Sequence, residues 1–359
     1  MKKFLIIQQK MIGDVLASTV LAEHLKIHFP GAKVHYVIND HTLAVVEGNP
    51  FIDRIIIFKK EFGRQKTRFF KFLKSMQKED YAAVIDVYGK TESNLISWFA
   101  QAPIKISYKK WYSKFIYTHT YEHSQKIPSS LGMAMDNRLL LLQPLIQEIK
   151  NPDIAPKIYL TKDEKAKAKK VLLNSEIALN KPLLMMGIFG SSELKTYPLN
   201  YMAQIIDLIT QNYEVTILFN YMPSQQDKVD ELMQLVSSGA KKAIHMEVFG
   251  HSLREFLALL SHCQGFVGNE GGASHMAKAL GVPNFSIFAP WISKAAWMTY
   301  HGNSANRAVH LGDFFPEALA HTSKKDRLKK VPQNYQLFEP QLFKKELLGF
   351  INDEIIAHQ

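Results

Sequence analysis

Cysteine is all but absent from this chain. Cys263 stands alone among 359 residues, which excludes an internal disulfide framework and leads us to expect a reducing compartment. Long hydrophobic runs are missing as well. Near the N-terminus only the stretch from Phe4 to Ile7 is continuously apolar. That is too short for the core of a secretory signal, and no run approaches the ~20 residues of a membrane-spanning helix, so a cytoplasmic protein is expected. Several chemical signatures are missing too. No G-x-x-x-x-G-K-[ST] phosphate loop occurs, and no G-x-G-x-x-G fingerprint follows the first strand candidate. No Cys/His cluster has zinc spacing, and His24/His28 is an i, i+4 pair without the Glu of a metalloprotease helix. These gaps remove the main support for dehydrogenase, P-loop kinase and metalloenzyme readings. No cofactor and no bound metal are expected.

What is present is the composition of a globular protein, 47% hydrophobic and 21% charged, in a chain long enough for two domains. The net charge of +11 is uneven. Residues 1–150 hold 22 Lys and Arg against 13 Asp and Glu, a balance of +9, which leaves +2 for the remainder. The basic half points to an anionic partner: a membrane surface, nucleic acid or an acidic glycan.

Along the chain, FLIIQQ (4–9) reads as a buried strand, followed by a KMIGD turn and then the helical stretch DVLASTVLAEHLKIHF, which Pro30-Gly31 stops. KVHYVIN (33–39), RIIIF (54–58) and YAAVIDVYG (81–89) are further strands, with a second helical stretch before 54. Strand and helix in alternation predict a parallel sheet. The segment 150–182, with three prolines and a solvated Lys/Glu helix, reads as an interdomain connection. A second alternation follows: LLMMGIF (183–189), helix 201–212, EVTILFN (214–220), helix 226–237, a strand in AIHMEVFG, helix 252–263, GFVG (265–268) and NFSIFAP (284–290). The predicted class is α/β, with two Rossmann-like domains at 1–155 and 156–335 facing a central cleft. A C-terminal helix within 336–359 is expected to pack back across that cleft.

Three strand–turn–helix junctions carry the chemistry. In KMIGDVL (10–16), Gly13 permits a tight turn and Asp14 opens a helix. On Asp14 alone a helix cap is the favoured reading, yet the C-terminal end of a parallel strand is where open α/β sheets hold ligands. In GIFGSSELKTYPL (187–199), Ser191, Ser192 and Lys195 offer hydroxyls, amides and a cation suited to phosphate; a surface loop is the alternative. In VGNEGGASHMAKALGVP (267–283), Gly271 and Gly272 let a ligand approach the backbone, and the helix N-terminus that follows favours an anion. Glu270 suits hydroxyl recognition, whereas His275 is as readily a packed helix residue as a ligand contact.

In order and spacing, FLIIQQKMIGDVLAS, SSELKTYPL and NEGGASHMAKALGVP together resemble glycosyltransferase family nine, the bacterial heptosyltransferases of the lipopolysaccharide inner core. The resemblance covers roughly residues 1–310. It implies the GT-B fold, with acceptor on the N-terminal domain and nucleotide-sugar on the C-terminal one, and an inverting, metal-independent transfer from an ADP-heptose-like donor. By the same carry-over Asp14 is the general base. Lys195 with Ser191 and Ser192 grips the pyrophosphate, and Glu270, Gly271, Gly272 and His275 hold the donor. Two departures fall in the donor pocket. Glu270 and Gly271 stand where the family has Asp and Ser or Thr, and FNYMPSQQDKV (219–229) lacks the family's Gly-x-x-Glu. A different donor sugar therefore stays open. So do two other classes, a catalytically weak GT-B binding or scaffold protein and a nucleotide-sugar epimerase.

The basic half contains KKEFGRQKTRFFKFLK (59–74), with seven basic residues, and KISYKKWYSK (105–114), with four, both interleaved with aromatics. A solvated helix face over core aromatics is the plain reading of either run, and stacking on nucleic acid is another. Their place in the acceptor half favours an anionic membrane instead, and no nucleic-acid partner is expected. Lys66, Arg68, Lys71 and Lys74 are expected to dock on the inner face of the inner membrane, with Gly13 on the acceptor side. An anionic lipid-linked glycan would be the acceptor partner.

Overall fold

KFLII (Lys3–Ile7) is buried at every position after the first and forms β1, an inner strand of a parallel sheet. A strand covered on both faces needs this unbroken apolar run rather than alternation. The computed structural model describes residues 1–124, 129–300, 303–320 and 322–357, which divide into two units, Met1–Tyr159 and Leu160–Gln359.

In the first unit β2 (Lys33–Asn39), β3 (Arg54–Phe58), β4 (Ala83–Asp86), β5 (Ile104–Tyr108) and β6 (His119–Tyr121) join β1 in the order β3-β2-β1-β4-β5-β6. All the pairings are parallel. Its helices are α1 (Ile12–Ala17), α2 (Thr19–His28), α3 (Lys66–Gln77), α4 (Thr91–Phe99) and α5 (Met133–Leu140). The helical stretch after β1 is thus two helices. At the junction the Ser18 hydroxyl donates to the Asp14 carbonyl (2.8 Å) and that of Thr19 to the Leu16 carbonyl (2.7 Å), competition with the backbone that bends helices. Where a second helix was expected before β3 there is only a 3₁₀ turn, Asp40–Val45. Leu5, Ile7, Val37, Ile56, Phe58, Leu73, Met76 and Val84 form a core against which Phe62, Phe69 and Phe72 pack.

In the second unit β7 (Leu183–Gly187), β8 (Thr216–Phe219), β9 (Gly265–Asn269), β10 (Asn284–Ile287) and β11 (Asn306–Val309) are ordered β11-β10-β9-β7-β8, again all parallel. The helices that matter here are α6 (Lys162–Asn174), α7 (Leu199–Asn212), α8 (Gln226–Leu235), α9 (Ser238–Lys241), α10 (Leu253–Leu260) and α11 (Gly272–Ala279). The solvated Lys/Glu helix read as a connection is α6, which belongs to this unit: Arg254 on α10 grips Glu164 at 2.6 Å through both Nε and Nη2. AIHMEVFG is not a strand. Only Ile244 bridges to Ile217, and a turn with His245 and Glu247 paired at 2.9 Å replaces the rest. The C-terminal segment lies in the core of this same unit, with Phe338, Phe343, Leu347, Phe350, Ile351 and Ile355 buried there.

Candidate functional site

Both sheets have a point where the strand order reverses, between β1 and β4 in the first unit and between β7 and β9 in the second. Loops leaving the carboxyl ends of neighbouring strands diverge at such a point and open a crevice. All three sequence junctions leave the strands at these points.

In the first unit β1 runs into Gln8–Met11, where the Gln8 amide donates to the Lys10 carbonyl, and α1 begins at Ile12. Gly13 and Asp14 are half-buried in its first turn. The helix cap read for Asp14 is not what its side chain does, for the N-cap is Met11 and has no side-chain partner. Instead Asp14 Oδ1 accepts from Arg138 Nη2 at 2.8 Å. The Arg138 guanidinium is almost fully buried and also donates to Ser18 Oγ (2.9 Å) and the Ala134 carbonyl (2.7 Å). A planar fork with several fixed acceptors holds a carboxylate in one orientation. The loop after β4 is locked in turn by buried Asp86, which accepts from the Gly89 amide (2.8 Å) and the Tyr117 hydroxyl (2.6 Å). Burial pushes the Asp86 carboxyl up despite these bonds. Lys66, Arg68, Lys71 and Lys74 stand on a separate element, α3, and all four are exposed. Arg68 pairs with Glu61 at 3.0 Å.

In the second unit two glycines let β7 and β9 approach. A Cβ on Gly268 would meet the Gly187 carbonyl oxygen at 2.3 Å, and one on Gly187 would meet the Phe266 ring at 2.4 Å. Asn269, at the end of β9, ties the two junctions together: Nδ2 donates to the Gly187 carbonyl (2.9 Å) and Oδ1 accepts from the Tyr197 amide (2.7 Å). The intervening loop is tight, with the Gly190 amide donating to Thr196 Oγ1 (3.1 Å) and that hydroxyl to the Ser192 carbonyl (2.9 Å). Ser191 and Ser192 are exposed, while Lys195 is half-buried with its Nζ 5.7 Å from the centre of the Trp291 ring. Trp291 donates to the Leu194 carbonyl (2.8 Å), and Lys324 Nζ lies over the same ring at 5.2 Å.

Glu270 follows β9 and is 6% exposed. Its Oε1 lies 3.5 Å from His275 Nε2, while Oε2 has no hydrogen-bond partner among the described residues. Burial alone would raise this carboxyl, but the His275 hydrogen bond and the charges of His275, Lys195 and Lys278 outweigh it and hold the group below its ordinary value. Lys278 is desolvated in return, which pushes its amine down to about 8 against the opposing pull of Glu270. Gly271 and Gly272 open α11, and Ser274 caps that helix, exchanging hydrogen bonds with the Gly271 amide (3.2 Å) and carbonyl (2.9 Å). Lys195, Glu270 and His275 therefore share one electrostatic neighbourhood.

Sequence reading missed Arg138, Asn269, Trp291 and Lys324. Each is far along the chain from the group it serves; only Asn269, beside Glu270 in the third junction, and Trp291, four residues after β10, stood where they could have drawn notice. Among the described residues no group of three or more His, Cys, Asp or Glu side chains could hold a metal ion.

A family model described as glycosyltransferase family 9 (heptosyltransferase) matches residues 69–314. The chain is 23% identical over 293 residues to lipopolysaccharide heptosyltransferase 1 of Campylobacter coli, covering 80% of this chain and 83% of that one. Among solved structures, a glycosyltransferase family 9 protein from Veillonella parvula superposes with a TM-score of 0.73 at 17% identity, over 96% of this chain and 97% of the other. An Escherichia coli heptosyltransferase solved with ADP gives 0.66 at 16%, over 92% and 99%.

Proposed function

The chain belongs to glycosyltransferase family 9 and has its GT-B fold of two Rossmann-like domains, and from that premise we propose that it transfers a heptose or related sugar, with inversion and without a metal, from an ADP-sugar to a lipopolysaccharide-core or other anionic lipid-linked acceptor. In this reaction the acceptor hydroxyl oxygen bonds to the anomeric carbon while the bond from that carbon to the diphosphate oxygen breaks. The hydroxyl proton passes to the Asp14 carboxylate, and the bonding pair leaves with the diphosphate. Lys195, flanked by Ser191 and Ser192, offsets the charge growing on that leaving group, the kind of stabilisation that acts on the transition state. A heptosyltransferase solved with ADP and one of C. coli named for lipopolysaccharide support the choice of donor and acceptor.

One observation carries the reading. Among the described residues Glu270 Oε2 is buried without a hydrogen-bond partner, and a buried carboxylate oxygen left unpaired costs on the order of 1–3 kcal/mol. A sugar or ribose hydroxyl donating to it would remove that cost, beside a lysine and a helix N-terminus that favour the adjoining phosphates. The longer acid reaches about a methylene further than the family's Asp, and Gly271 brings no hydroxyl, so the hydroxyl pattern read here is this chain's own. The acceptor is met at the inner face of the inner membrane, where Lys66, Arg68, Lys71 and Lys74 face anionic lipid.

Thermal-shift and calorimetric titration with ADP, UDP, GDP and CMP, and with their sugars, tests the donor. A true ligand at ~100 times its dissociation constant adds about 2.7 kcal/mol of stability. ADP-sugars should stabilise the protein most, Lys195→Ala should weaken ADP itself, and Glu270→Gln should weaken the ADP-sugar more than ADP. A protein indifferent to every nucleotide, or equally stabilised with Ala at 195, would sink the assignment.

A further inference from the structure

Exposed aromatic side chains on this protein are concentrated on one stretch of the first unit. Trp111 is 90% exposed, Phe115 75%, Trp98 50%, Phe70 48% and Tyr112 44%. They form neighbouring ring contacts: Phe70 lies against Phe99 (5.8 Å between centroids), Trp98 against Phe115 (6.1 Å) and Trp111 against Tyr112 (5.8 Å). The supporting elements also touch, α3 packing on α4 and α4 on the 3₁₀ turn Lys114–Ile116. Exposed aromatics grouped on touching elements mark a binding face, whereas scattered single residues do not.

Its chemistry selects the partner. Lys74 Nζ lies 5.0 Å over the Phe70 ring and Lys105 Nζ 5.9 Å over Trp98, while Lys114 is exposed beside Phe115. Aromatic rings with lysine ammonium groups beside them suit a lipid headgroup boundary, with ring bodies toward the acyl chains and ammonium groups among the phosphates. Single-stranded nucleic acid, the other partner of basic aromatic surfaces, stacks bases on ring faces and is one outcome of the test below.

We propose that this aromatic ridge, Phe70, Trp98, Trp111, Tyr112 and Phe115, inserts into the interface of an anionic bilayer. The proposal rests on the membrane reading above and sharpens it. The α3 lysines attract the protein to the surface, and α4 with residues 111–115 hold it there. Three of the aromatics that the sequence interleaves with charge on 59–74 take no part, since Phe62, Phe69 and Phe72 pack on Phe58 in the core. Lys109 and Lys110 are likewise committed, to Glu122 (2.7 Å) and to the Gly89 carbonyl.

The test uses the full chain with vesicles of phosphatidylcholine alone or mixed with phosphatidylglycerol, the acyl chains carrying bromine as a quencher. Brominated anionic vesicles should quench the tryptophan emission, and Trp111→Ser and Phe115→Ser should each weaken binding about tenfold. Both side chains are exposed, so melting temperature and ADP response should stay unchanged, which keeps this test separate from that of the donor site. Lys66, Lys71 and Lys74 changed to Gln should weaken binding in a salt-dependent way. Binding that the lysine changes abolish but Trp111→Ser and Phe115→Ser leave intact, without quenching, would overturn insertion and leave a purely electrostatic membrane contact. Failure to bind anionic vesicles at low salt would overturn both. Loss of self-association or of single-stranded RNA binding in the serine variants, with no vesicle binding by the parent, would assign the ridge to a second copy or to nucleic acid and overturn the proposal.

Discussion

A carboxylate that takes a proton from an attacking hydroxyl depends first on orientation, and Asp14 Oδ1 is committed to Arg138, while among the described residues Oδ2 has no hydrogen bond. Two effects therefore meet in Asp14→Asn. Loss of the proposed base should lower turnover ~10²–10⁴-fold. Loss of the anion opposite a buried guanidinium should also lower stability, by roughly 1.5–3 kcal/mol for a hydrogen bond between charged groups. Turnover under saturating donor and the urea midpoint, read on the same preparation, separate the two. Near-full turnover with a lowered midpoint would make Asp14 a structural partner of Arg138 and nothing more. Lysine at 138 keeps the charge but not the fork, so Arg138→Lys should recover part of the stability and little of the rate.

At the scale of elements, α6 shows how a short motif fixes a helix between the two sequence halves. Thr161 and Glu164 form a capping box, and Glu164 also receives Arg254 from α10. The Arg254 hydrogen bonds, helped by those from Thr161, hold the Glu164 carboxyl at about 2 against an ordinary 4.5. A carboxyl lowered on folding contributes stability that is present above its unfolded value and lost as pH falls through the folded one. Glu164→Gln should therefore melt below the parent at neutral pH, and the gap should close between about pH 4.5 and 2. A gap that stays constant down to pH 2 would remove the ionised Glu164–Arg254 pair as its cause. The sequence carries the box as T-x-x-E, although only a solvated Lys/Glu helix was read there, whereas nothing in it pointed to Arg254, ninety positions on. The strands divide in the same way. β1, β2, β7 and β9 lie inside their sheets and announce themselves as apolar runs. β6 and β11 are short and lie at sheet edges, where only one neighbour must be satisfied; β5 is as long as β1 but, like them, carries polar residues, and no pattern marked the three. Likewise Asp14, Lys195 and Glu270 stood out because each follows a strand, whereas Asn269 and Arg138 act through contacts that exist only after folding.

On the scale of the whole molecule, every residue assigned to the donor lies in Leu160–Gln359, and Asp14, the α3 lysines and the aromatic ridge lie in Met1–Tyr159. Each unit has its own sheet and its own core. The core of the second unit is completed by the chain's end: Phe338, Phe343 and Phe350 are fully buried, and Phe350 sits 5.6 Å from Phe285 on β10. The Phe338 carbonyl also accepts from the Tyr197 hydroxyl, at the foot of the loop that carries Lys195. Losing a buried Phe costs about 3–5 kcal/mol, and a domain has only ~5–15 kcal/mol in hand, so removing three together should unfold the unit. A fragment of residues 160–359 should accordingly melt cooperatively and bind ADP about as tightly as the full chain, whereas 160–337 should neither melt cooperatively nor bind. A fragment of 1–159 should fold, ignore ADP and retain vesicle binding. Circular dichroism melts and ADP calorimetry on the three fragments decide it. Cooperative melting with full ADP affinity in 160–337 would show that the C-terminal phenylalanines are dispensable to the donor loop. Loss of ADP binding in a well-folded 160–359 would show that the nucleotide needs groups from the first unit.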